Sequence, residues 1–364
     1  MFKAWIPACA GMTALLLTIP SITHAADRKA LNKAWGIVQE SLTSNDSVVR
    51  EMSVQGLEYV SNKEVTNSLI SSLQDESEYV RIWAAKSLAR KGSGAGKNAL
   101  IEILGNVGPN PEEAKGSLAA LIKMKALARG RVRGEAAKVL GLIKDPMVMQ
   151  VLKNAKKDND GRVRDGAAIG LSLMGDPSEA IVFASALKDQ DKGIRLAACE
   201  ALEAMEDPRM VQPLIAMLRD SEAEIRLVAA RALGRIKATD AQDYLVPLLS
   251  DENGLVRENA TRSLGQMKAR DKSPNLKGEL QDQNFFVKVA AAEALGYLGY
   301  AEGVTTLEAA LSANDIDVRI RAAQILFSIS DKRAEALALK TLSDGNAKVR
   351  LGAALSLLRM DVSK

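Results

Sequence analysis

The chain is poor in the residues that most often carry out chemistry. Only 4% of its 364 residues are aromatic, and it contains one histidine and two cysteines. Zinc sites need several His or Cys ligands and histidine is the commonest general base, so the composition disfavours zinc binding and histidine-based catalysis. The 49 basic residues nearly balance 45 acidic ones, which argues against a protein that mainly neutralises phosphates. A hydrophobic fraction of 47% excludes a disordered chain.

The first 25 residues have the order of a secretory signal peptide. Lys3 supplies positive charge, an apolar stretch centred on residues 14–17 follows, and small residues precede Ala26. The pattern predicts an exported protein, periplasmic or secreted, with cleavage near Ala25. An uncleaved N-terminal anchor is the alternative. Lipid attachment at Cys9 is disfavoured, because Cys9 lies very close to the N-terminus and lacks the expected preceding leucine.

Cleavage would remove the only histidine, His24, together with Cys9. Cys199 would then have no partner for an internal disulfide, so stability must come from packing. Cys199 stands four residues after Arg195, one of the regularly spaced basic residues described below, and most other copies have alanine at this position. This favours a small buried thiol over a reactive one. We therefore predict a protein that is not an enzyme, with no catalytic residues, no metal site and no cofactor.

A short pattern, Val or Ile followed by a basic residue and then small residues, recurs along the chain with a period of 31. The basic residues are Arg50, Arg81, Arg133, Arg164, Arg195, Arg226, Arg257, Lys288, Arg319 and Arg350. Every step is 31 residues except that from Arg81 to Arg133, which is 52. Such a fixed period is typical of repeat architectures.

The repeated columns predict a helical hairpin. Leu stands seven residues after every basic position and small residues stand three and four after it, which describes one face of a helix, here called helix B. A second segment, helix A, ends eight residues before the basic position, and Asp often follows it in a turn. One hairpin cannot bury its apolar face alone, so neighbouring units must stack. Gly141, Gly234, Gly265 and Gly296 occur where helices would approach closely.

The stretches Asp220–Gly234 and Asp189–Leu202 resemble HEAT repeats of the short class named after phycobilisome lyases. The resemblance covers nearly all of residues 40–364. It implies an all-α solenoid of about ten hairpins over residues 26–364, with Asp and Arg side chains in a hydrogen-bonded ladder between units. It also implies A helices that are kinked, as Pro213 and Pro247 suggest.

The 52-residue step marks an irregular segment at about residues 91–130. Two helical runs are expected, at about 97–105 and 112–128, and the extra length is either a degenerate repeat or a 21-residue insertion. Residues 112–138 hold seven basic and three acidic residues. The segment is either a functional insertion or a solvated basic helix surface.

Two short motifs only superficially resemble binding loops. Residues 92–98 are glycine-rich, but Asn98 replaces the Ser or Thr of a phosphate-binding loop and no strand precedes them. Residues 157–161 are acidic, but Lys156 and Ala167 would occupy essential ligand positions of a calcium loop. Both are interpreted as turns.

In HEAT proteins helix B usually lines the concave face, so the resemblance implies an exposed stripe at positions two, five and nine after each basic residue. The candidate partner-binding residues are Tyr59, Trp83, Lys86, Arg90, Lys138, Arg231, Arg235, Arg262, Tyr297 and Arg321. Arginine beside aromatic residues is common on binding surfaces. The stripe predicts a groove for an acidic protein segment or anionic polymer, and a salt-bridged solvated surface is the alternative.

The last helix B carries Leu351, Leu355 and Leu358, and few residues follow to cover them. Solenoid ends normally need a polar cap. The sequence therefore predicts partner contact or end-to-end self-association there, with shielding by the tail as the alternative.

Together these patterns predict an exported scaffold that binds a protein, without nucleic-acid binding and without a membrane span in the mature chain. The alternative is an accessory subunit or lyase-like protein that handles a chromophore or cofactor. Deoxyhypusine hydroxylases share the architecture, but they bind iron through His–Glu pairs and the mature chain has no histidine.

Overall fold

A computed structural model describes residues 26–60, 63–108, 119–329 and 331–360, and in these ranges the regular structure is entirely helical. The predicted signal peptide, with Cys9 and His24, lies outside the described residues. The expected all-α class is confirmed. Helices of the A type alternate along the chain with helices of the B type.

The A-type helices are α1 (Ala26–Leu42), α3 (Lys63–Ser72), α5 (Lys97–Gly105), α7 (Pro146–Ala155), α9 (Pro177–Ala186), α11 (Val211–Met217), α13 (Gln242–Leu245), α15 (Ser273–Gly278), α17 (Val304–Leu311) and α19 (Lys332–Thr341). The B-type helices are α2 (Ser47–Gly56), α4 (Glu78–Arg90), α6 (Ala119–Leu142), α8 (Gly161–Leu173), α10 (Lys192–Met205), α12 (Ala223–Ile236), α14 (Gly254–Gln266), α16 (Phe285–Tyr297), α18 (Ile316–Leu326) and α20 (Ala347–Met360).

Each repeated basic residue lies in a B helix, as the periodicity predicts. The leucine seven residues later is buried in every copy, with no more than 3% of any of these side chains exposed. Full burial of one leucine contributes about 1.5–3 kcal/mol relative to exposure. The leucine column is therefore a major part of the core in each hairpin.

The A helices are interrupted near the expected prolines. Pro213 lies in α11, directly after a short 3-10 turn at Pro208–Met210. Pro247 lies in a 3-10 segment, Val246–Ser250, that follows the four-residue α13. Proline lacks the N–H that an α-helix needs in its interior. Pro213 stands in the first turn of α11, where that N–H is not needed, and at Pro247 the backbone takes the tighter 3-10 form.

An Arg–Asp ladder joins successive units. Its pairs are Arg50–Asp75, Arg133–Asp158, Arg195–Asp220, Arg226–Asp251 and Arg257–Asp282. In each pair the arginine donates to both carboxylate oxygens, as from Arg226 Nε at 2.8 Å and Nη2 at 3.0 Å. The aspartate also accepts from the backbone N–H two residues later, which holds the A–B turn. These columns are structural.

Glycine in the column eight after the basic residue allows B helices to touch. A Cβ on Gly141 would lie 2.2 Å from the carbonyl oxygen of Gly170, and one on Gly265 would lie 2.5 Å from Ala294 Cα. Both distances are below van der Waals contact, so only glycine fits without moving a helix. The predicted close approach is present.

The described helices of the irregular segment form one hairpin, in which the B helix is much longer than the others. Helix α5 begins and ends where the first run is expected. Of the second run, expected at about 112–128, residues 112–118 lie outside the described residues, and from residue 119 it is continuous with the B helix α6. Arg133 Nε donates to the carbonyl of Leu104 at 2.7 Å, and Arg129 Nε donates to that of Asn106 at 2.6 Å. These bonds join the end of α5 to α6 as the A and B helices of one unit, and residues 119–129 extend α6 beyond the point at which the other B helices begin.

The two loop-like motifs are occupied by structural contacts. Lys97, the lysine of the glycine-rich stretch, pairs with Asp145 at 2.6 Å. The carboxylate of Asp158 binds Arg133, and that of Asp160 accepts from the N–H of Arg162 at the start of α8. Both segments are turns.

The chain divides into two compact units. One contains the described residues of 1–45, 59–61 and 184–364, and the other contains the described residues of 46–58 and 62–183. In the first unit α1 packs against α20, and Lys33 Nζ donates to Ser343 Oγ at 2.5 Å. Because α1 lies there, the last B helix does not present the predicted uncovered apolar surface.

The three leucines on which the self-association hypothesis depends are buried. Leu351, Leu355 and Leu358 are 0%, 3% and 8% exposed. The premise that these leucines are uncovered is therefore wrong. The sequence pattern gave no sign that the first helix packs against the last one.

Candidate binding surface

The ten candidate residues lie on or beside the B helices, but they are less exposed than predicted. Of the ten, Arg90 is exposed and the other nine are half-buried. The expectation of a freely solvated stripe is therefore corrected. The physical reason is that neighbouring B helices are close enough for acidic side chains to lie beneath the basic ones.

In the unit that contains residues 184–364, two arginines of α12 bind glutamates of α10. Arg231 donates to both oxygens of Glu203, at 2.6 and 2.7 Å. Arg235 Nη2 donates to Glu206 at 2.7 Å, and Arg235 Nη1 donates to Glu203 at 3.5 Å. The side chain of Glu203 is 8% exposed, while those of Arg231 and Arg235 are 21% and 18% exposed. The Glu203 carboxylate thus lies deeper than both arginines, while Glu206, at 23% exposed, lies at about the depth of Arg235.

A second network in the same unit joins α14, α16 and α18. Arg262 donates to Glu258 at 3.0 Å and to Glu293 at 3.1 Å. Arg321 donates to Glu258 at 2.7 Å, and the hydroxyl of Tyr297 donates to Glu293 at 2.8 Å. Glu258 and Glu293 are buried, so the network fixes the arginines from below.

Burial and pairing have opposite effects on these guanidinium groups. Burial alone disfavours the charged form of Arg262, but the charges of Glu293 and Glu258 outweigh it and raise its pKa. Burial likewise disfavours the charged form of Arg235, but the charges of Glu206 and Glu203 outweigh it and raise the pKa of Arg235. Both arginines stay charged at every pH that the folded protein meets.

Tyr59 belongs to the same unit and lies beside the end of α20. The guanidinium carbon of Arg359 lies 4.7 Å from the centre of the Tyr59 ring, a cation–π distance. The arginine thus covers one face of a predicted binding aromatic.

The other unit holds the remaining four candidates. Lys86 Nζ lies 4.3 Å from the centre of the Trp83 ring. Arg90 pairs with Glu58 at 3.2 Å, and Lys138 pairs with Glu135 at 2.8 Å on its own helix. Here too the basic residues have partners within the chain.

The periodicity missed the glutamates that organise this surface. Glu203, Glu206 and Glu258 stand eight, eleven and one residue after their repeat's basic position, outside the columns that predict the stripe. A search for acidic residues nearly one repeat from each arginine would have found two of them, since Glu203 precedes Arg231 by 28 residues and Glu206 precedes Arg235 by 29.

Among the described residues, neither a metal-binding group nor a reactive thiol is found on this surface. The described residues include no group of three or more His, Cys, Asp or Glu side chains placed to hold a metal ion. Cys199 is fully buried, and burial together with the charge of Glu203 raises its pKa to about 12. Its thiol is protonated at neutral pH, as expected for a packing residue. In the described part of the chain, no helix combines the length and apolarity that a membrane span requires.

Comparison with solved structures gives matches at low sequence identity and low TM-score. Human deoxyhypusine hydroxylase is 18% identical, with 75% of this chain and 98% of that one covered and a TM-score of 0.35. The complex of CpcE and CpcF of phycocyanin lyase from a Nostoc species is 22% identical, with 75% and 92% covered and a TM-score of 0.33. Kap121p bound to Nup53p is 18% identical, with 86% and 39% covered and a TM-score of 0.37.

Comparison with curated proteins gives no match. The family model for HEAT repeats matches four stretches, residues 36–122, 118–203, 211–296 and 244–314, which together include well over half of the chain. The 31-residue hairpins, the buried leucine column and the Arg–Asp ladder agree with that match. The chain belongs to the HEAT-repeat family.

Proposed function

We propose that the protein is an exported, non-enzymatic scaffold that binds an acidic segment of a partner protein through the surface of its B helices. The observation that carries this proposal is the layering of charge on α10 to α18. Buried glutamates hold arginines whose outer edges remain partly exposed, with 29% of the Arg321 side chain and 21% of that of Arg231 accessible.

This layering favours binding over simple solvation. An arginine has five N–H donors in a fixed fork, and a bidentate glutamate uses only two of them. The outward donors are already oriented, so a partner carboxylate would bind with little loss of side-chain entropy. Arg262, Arg321 and Tyr297 supply such a pre-organised surface in one unit.

Site-specific photo-crosslinking in cells tests this proposal. A benzophenone amino acid would replace Tyr297 or Trp83, which lie on B helices, and Tyr244, a 44% exposed tyrosine on α13, would serve as the matched control. We expect a discrete crosslinked partner from the B-helix positions and a much lower yield from position 244. Equal yields, or crosslinking from position 244 alone, would contradict binding through the B helices.

Export is the second part of the proposal and depends on residues 1–25. N-terminal sequencing of the protein recovered from the periplasm or medium should begin at Ala26. Recovery of the intact chain from the cytoplasm would contradict export, and recovery of an intact chain with membranes would support the N-terminal anchor instead.

A further inference from the structure

In the first half of α6, residues 119–131, three large apolar side chains face solvent. Ala119, Ile122, Ala126 and Arg129 are half-buried and Gly130 is buried, which marks the side of the helix that faces the protein. These positions follow helical spacing, so the opposite side faces solvent. That outward side carries Leu121, Met124 and Leu127, which are 46%, 67% and 43% exposed.

Contacts on the inward side hold this half-helix in place. Arg129 donates to the carboxylate of Glu78 at 2.5 and 3.0 Å and to the carbonyl of Ile103 at 3.1 Å. Its Nε donates to the carbonyl of Asn106. The outward apolar stripe, defined as Leu121, Met124 and Leu127, is therefore presented by an anchored element.

Positive charge borders the stripe. At 100° per residue, Lys123 and Lys125 lie on its two sides, and Arg131 continues it toward the C-terminus. All three are exposed, and residues 119–131 contain four basic residues and no acidic one.

This charge pattern opposes helix stability, because residues 119–131 hold four basic side chains and no acidic one, and like charges near one another on a helix repel. Exposed apolar side chains on a soluble helix add no packing energy. Both features are explained if the outward side has an anionic, apolar environment to enter.

We infer that the outward side of residues 119–131 attaches the protein reversibly to the surface of a bilayer containing anionic phospholipid. The helix would lie in the interface plane, with Leu121, Met124 and Leu127 among the acyl chains. Lys123 and Lys125 would reach the headgroups from either side of it. This attachment is additional to partner binding by the B helices and does not depend on it.

The alternative occupants fit the stripe less well. A second copy would bring like charges together around its own stripe. Stable protein interfaces bury about 800 Å² per partner, far more than three side chains on one helix supply. A lipid surface needs no matching groove, and it accommodates positive charge on both borders of the stripe.

Vesicle sedimentation tests the inference on the chain in its naturally processed form. The vesicles contain equal parts of phosphatidylglycerol and phosphatidylcholine, or phosphatidylcholine alone. We expect at least about tenfold stronger partition onto the anionic vesicles at low salt, because basic residues near such a surface each contribute several-fold. Absence of preferential binding to the anionic vesicles would overturn the inference.

Substitutions separate the stripe from the rest of the surface. Leu121→Gln with Met124→Gln and Leu127→Gln keeps good helix formers and should reduce partition at least about tenfold. Lys123→Gln with Lys125→Gln should reduce binding to the anionic vesicles by about the same factor. The matched controls are Met147→Gln with Met149→Gln, where the methionines are 73% and 38% exposed on α7, and Lys153→Gln with Lys157→Gln.

The controls should bind like the wild type, and equal losses in controls and stripe variants would overturn the inference. Because all variants share one N-terminus, any contribution of residues 1–25 is common to them. Circular dichroism shows whether each variant is folded. A Met124→Trp variant should show blue-shifted emission with anionic vesicles and quenching by brominated lipid, whereas Met147→Trp should not. Unchanged vesicle binding by the stripe variants, with loss of an acidic protein partner, would replace the lipid surface with a protein one.

Discussion

Single residues in this protein are constrained mainly by the distance between neighbouring B helices. Gly141 and Gly170 place backbone against backbone, since a Cβ on Gly141 would lie 2.2 Å from the carbonyl oxygen of Gly170. Gly36 on α1 is also inside a helix, but a Cβ there would meet no atom within 4 Å. Alanine in place of Gly141 would therefore clash with α8, whereas alanine in place of Gly36 would meet no neighbouring atom.

We expect Gly141→Ala to lower the free energy of unfolding by about 1–3 kcal/mol, because the two helices must separate to admit the methyl group. The control, Gly36→Ala, should raise it by about 0.5–1 kcal/mol through better helix propensity. Urea unfolding measures both changes. A neutral Gly141→Ala would mean that α6 and α8 can adjust without loss of packing.

The buried glutamates give the second residue-scale prediction. Glu258 accepts from both Arg262 and Arg321, and its side chain is 6% exposed. Glu258→Gln removes the negative charge that Arg262 and Arg321 share. We expect the free energy of unfolding to fall by about 3 kcal/mol. Glu252→Gln, at a 91% exposed side chain, should change stability by no more than about 0.5 kcal/mol. Similar unfolding midpoints for both variants would show that the network adds no stability.

At the scale of elements, the B helices end in a repeated left-handed residue that the sequence columns did not reveal. The position eleven after the basic residue has positive φ in seven copies, which are Gly92, Lys144, Gly175, Glu206, Lys237, Lys268 and Gly299. Three copies use glycine, which adopts this conformation without strain, and four use side chains that do not favour it. The column therefore has a common backbone requirement despite its mixed composition.

We expect Lys268→Gly to raise the free energy of unfolding by about 0.5–1 kcal/mol, since the exposed lysine loses only its left-handed strain. Gly175→Ala should lower it by about 1–2 kcal/mol at the same column. Thermal unfolding of the two variants is sufficient to compare them. Destabilisation by Lys268→Gly would show that the lysine side chain contributes more than its backbone strain costs.

At the scale of the whole molecule, the Arg–Asp ladder makes the free energy of unfolding depend on pH in the acidic range. The pKa values of Asp75, Asp158, Asp220, Asp251 and Asp282 are all lowered from 3.8. In Asp282 the hydrogen bond from Arg257 is the largest cause, while in the other four burial opposes the shift and the arginine bonds outweigh it. Five similar groups therefore titrate together on acidification.

A lowered folded-state pKa stabilises the protein above the unfolded value and loses that effect as pH falls through the folded one. We expect the free energy of unfolding to fall steeply below about pH 4, with little change from the ladder between pH 5 and 8. Urea titrations across pH 2–7 measure the slope. Asp251→Asn should make the acid slope shallower, and an unchanged slope would contradict the assignment.

The contact between the first and last helices gives the remaining prediction. Val38 on α1 is fully buried, whereas Gln39 beside it is exposed. Val38→Asp should loosen α1, expose the leucines of α20 to hydrogen exchange, and lower the free energy of unfolding by about 2–4 kcal/mol. Gln39→Asp is the control and should match the wild type. If α20 stays equally protected in both variants, α1 is not its necessary cover.

Periodicity alone was enough for the helical hairpin, the 31-residue unit, the buried leucine column and the glycine contacts. These features depend on offsets within one repeat, and each repeat shows the same local pattern. The Arg–Asp ladder followed from the family resemblance. The irregular segment was located because it breaks the period, although the sequence left open whether it is a repeat or an insertion.

Tertiary structure decided which charges are neutralised and which apolar side chains are covered. Arg321 and Glu258 are 63 residues apart and Lys33 and Ser343 are 310 apart, so packing and not local pattern brings them together. The same packing buries Leu351 on the last helix and leaves Met124 facing solvent. A helix pattern identifies an apolar face, but only the positions of the other helices determine whether that face is buried.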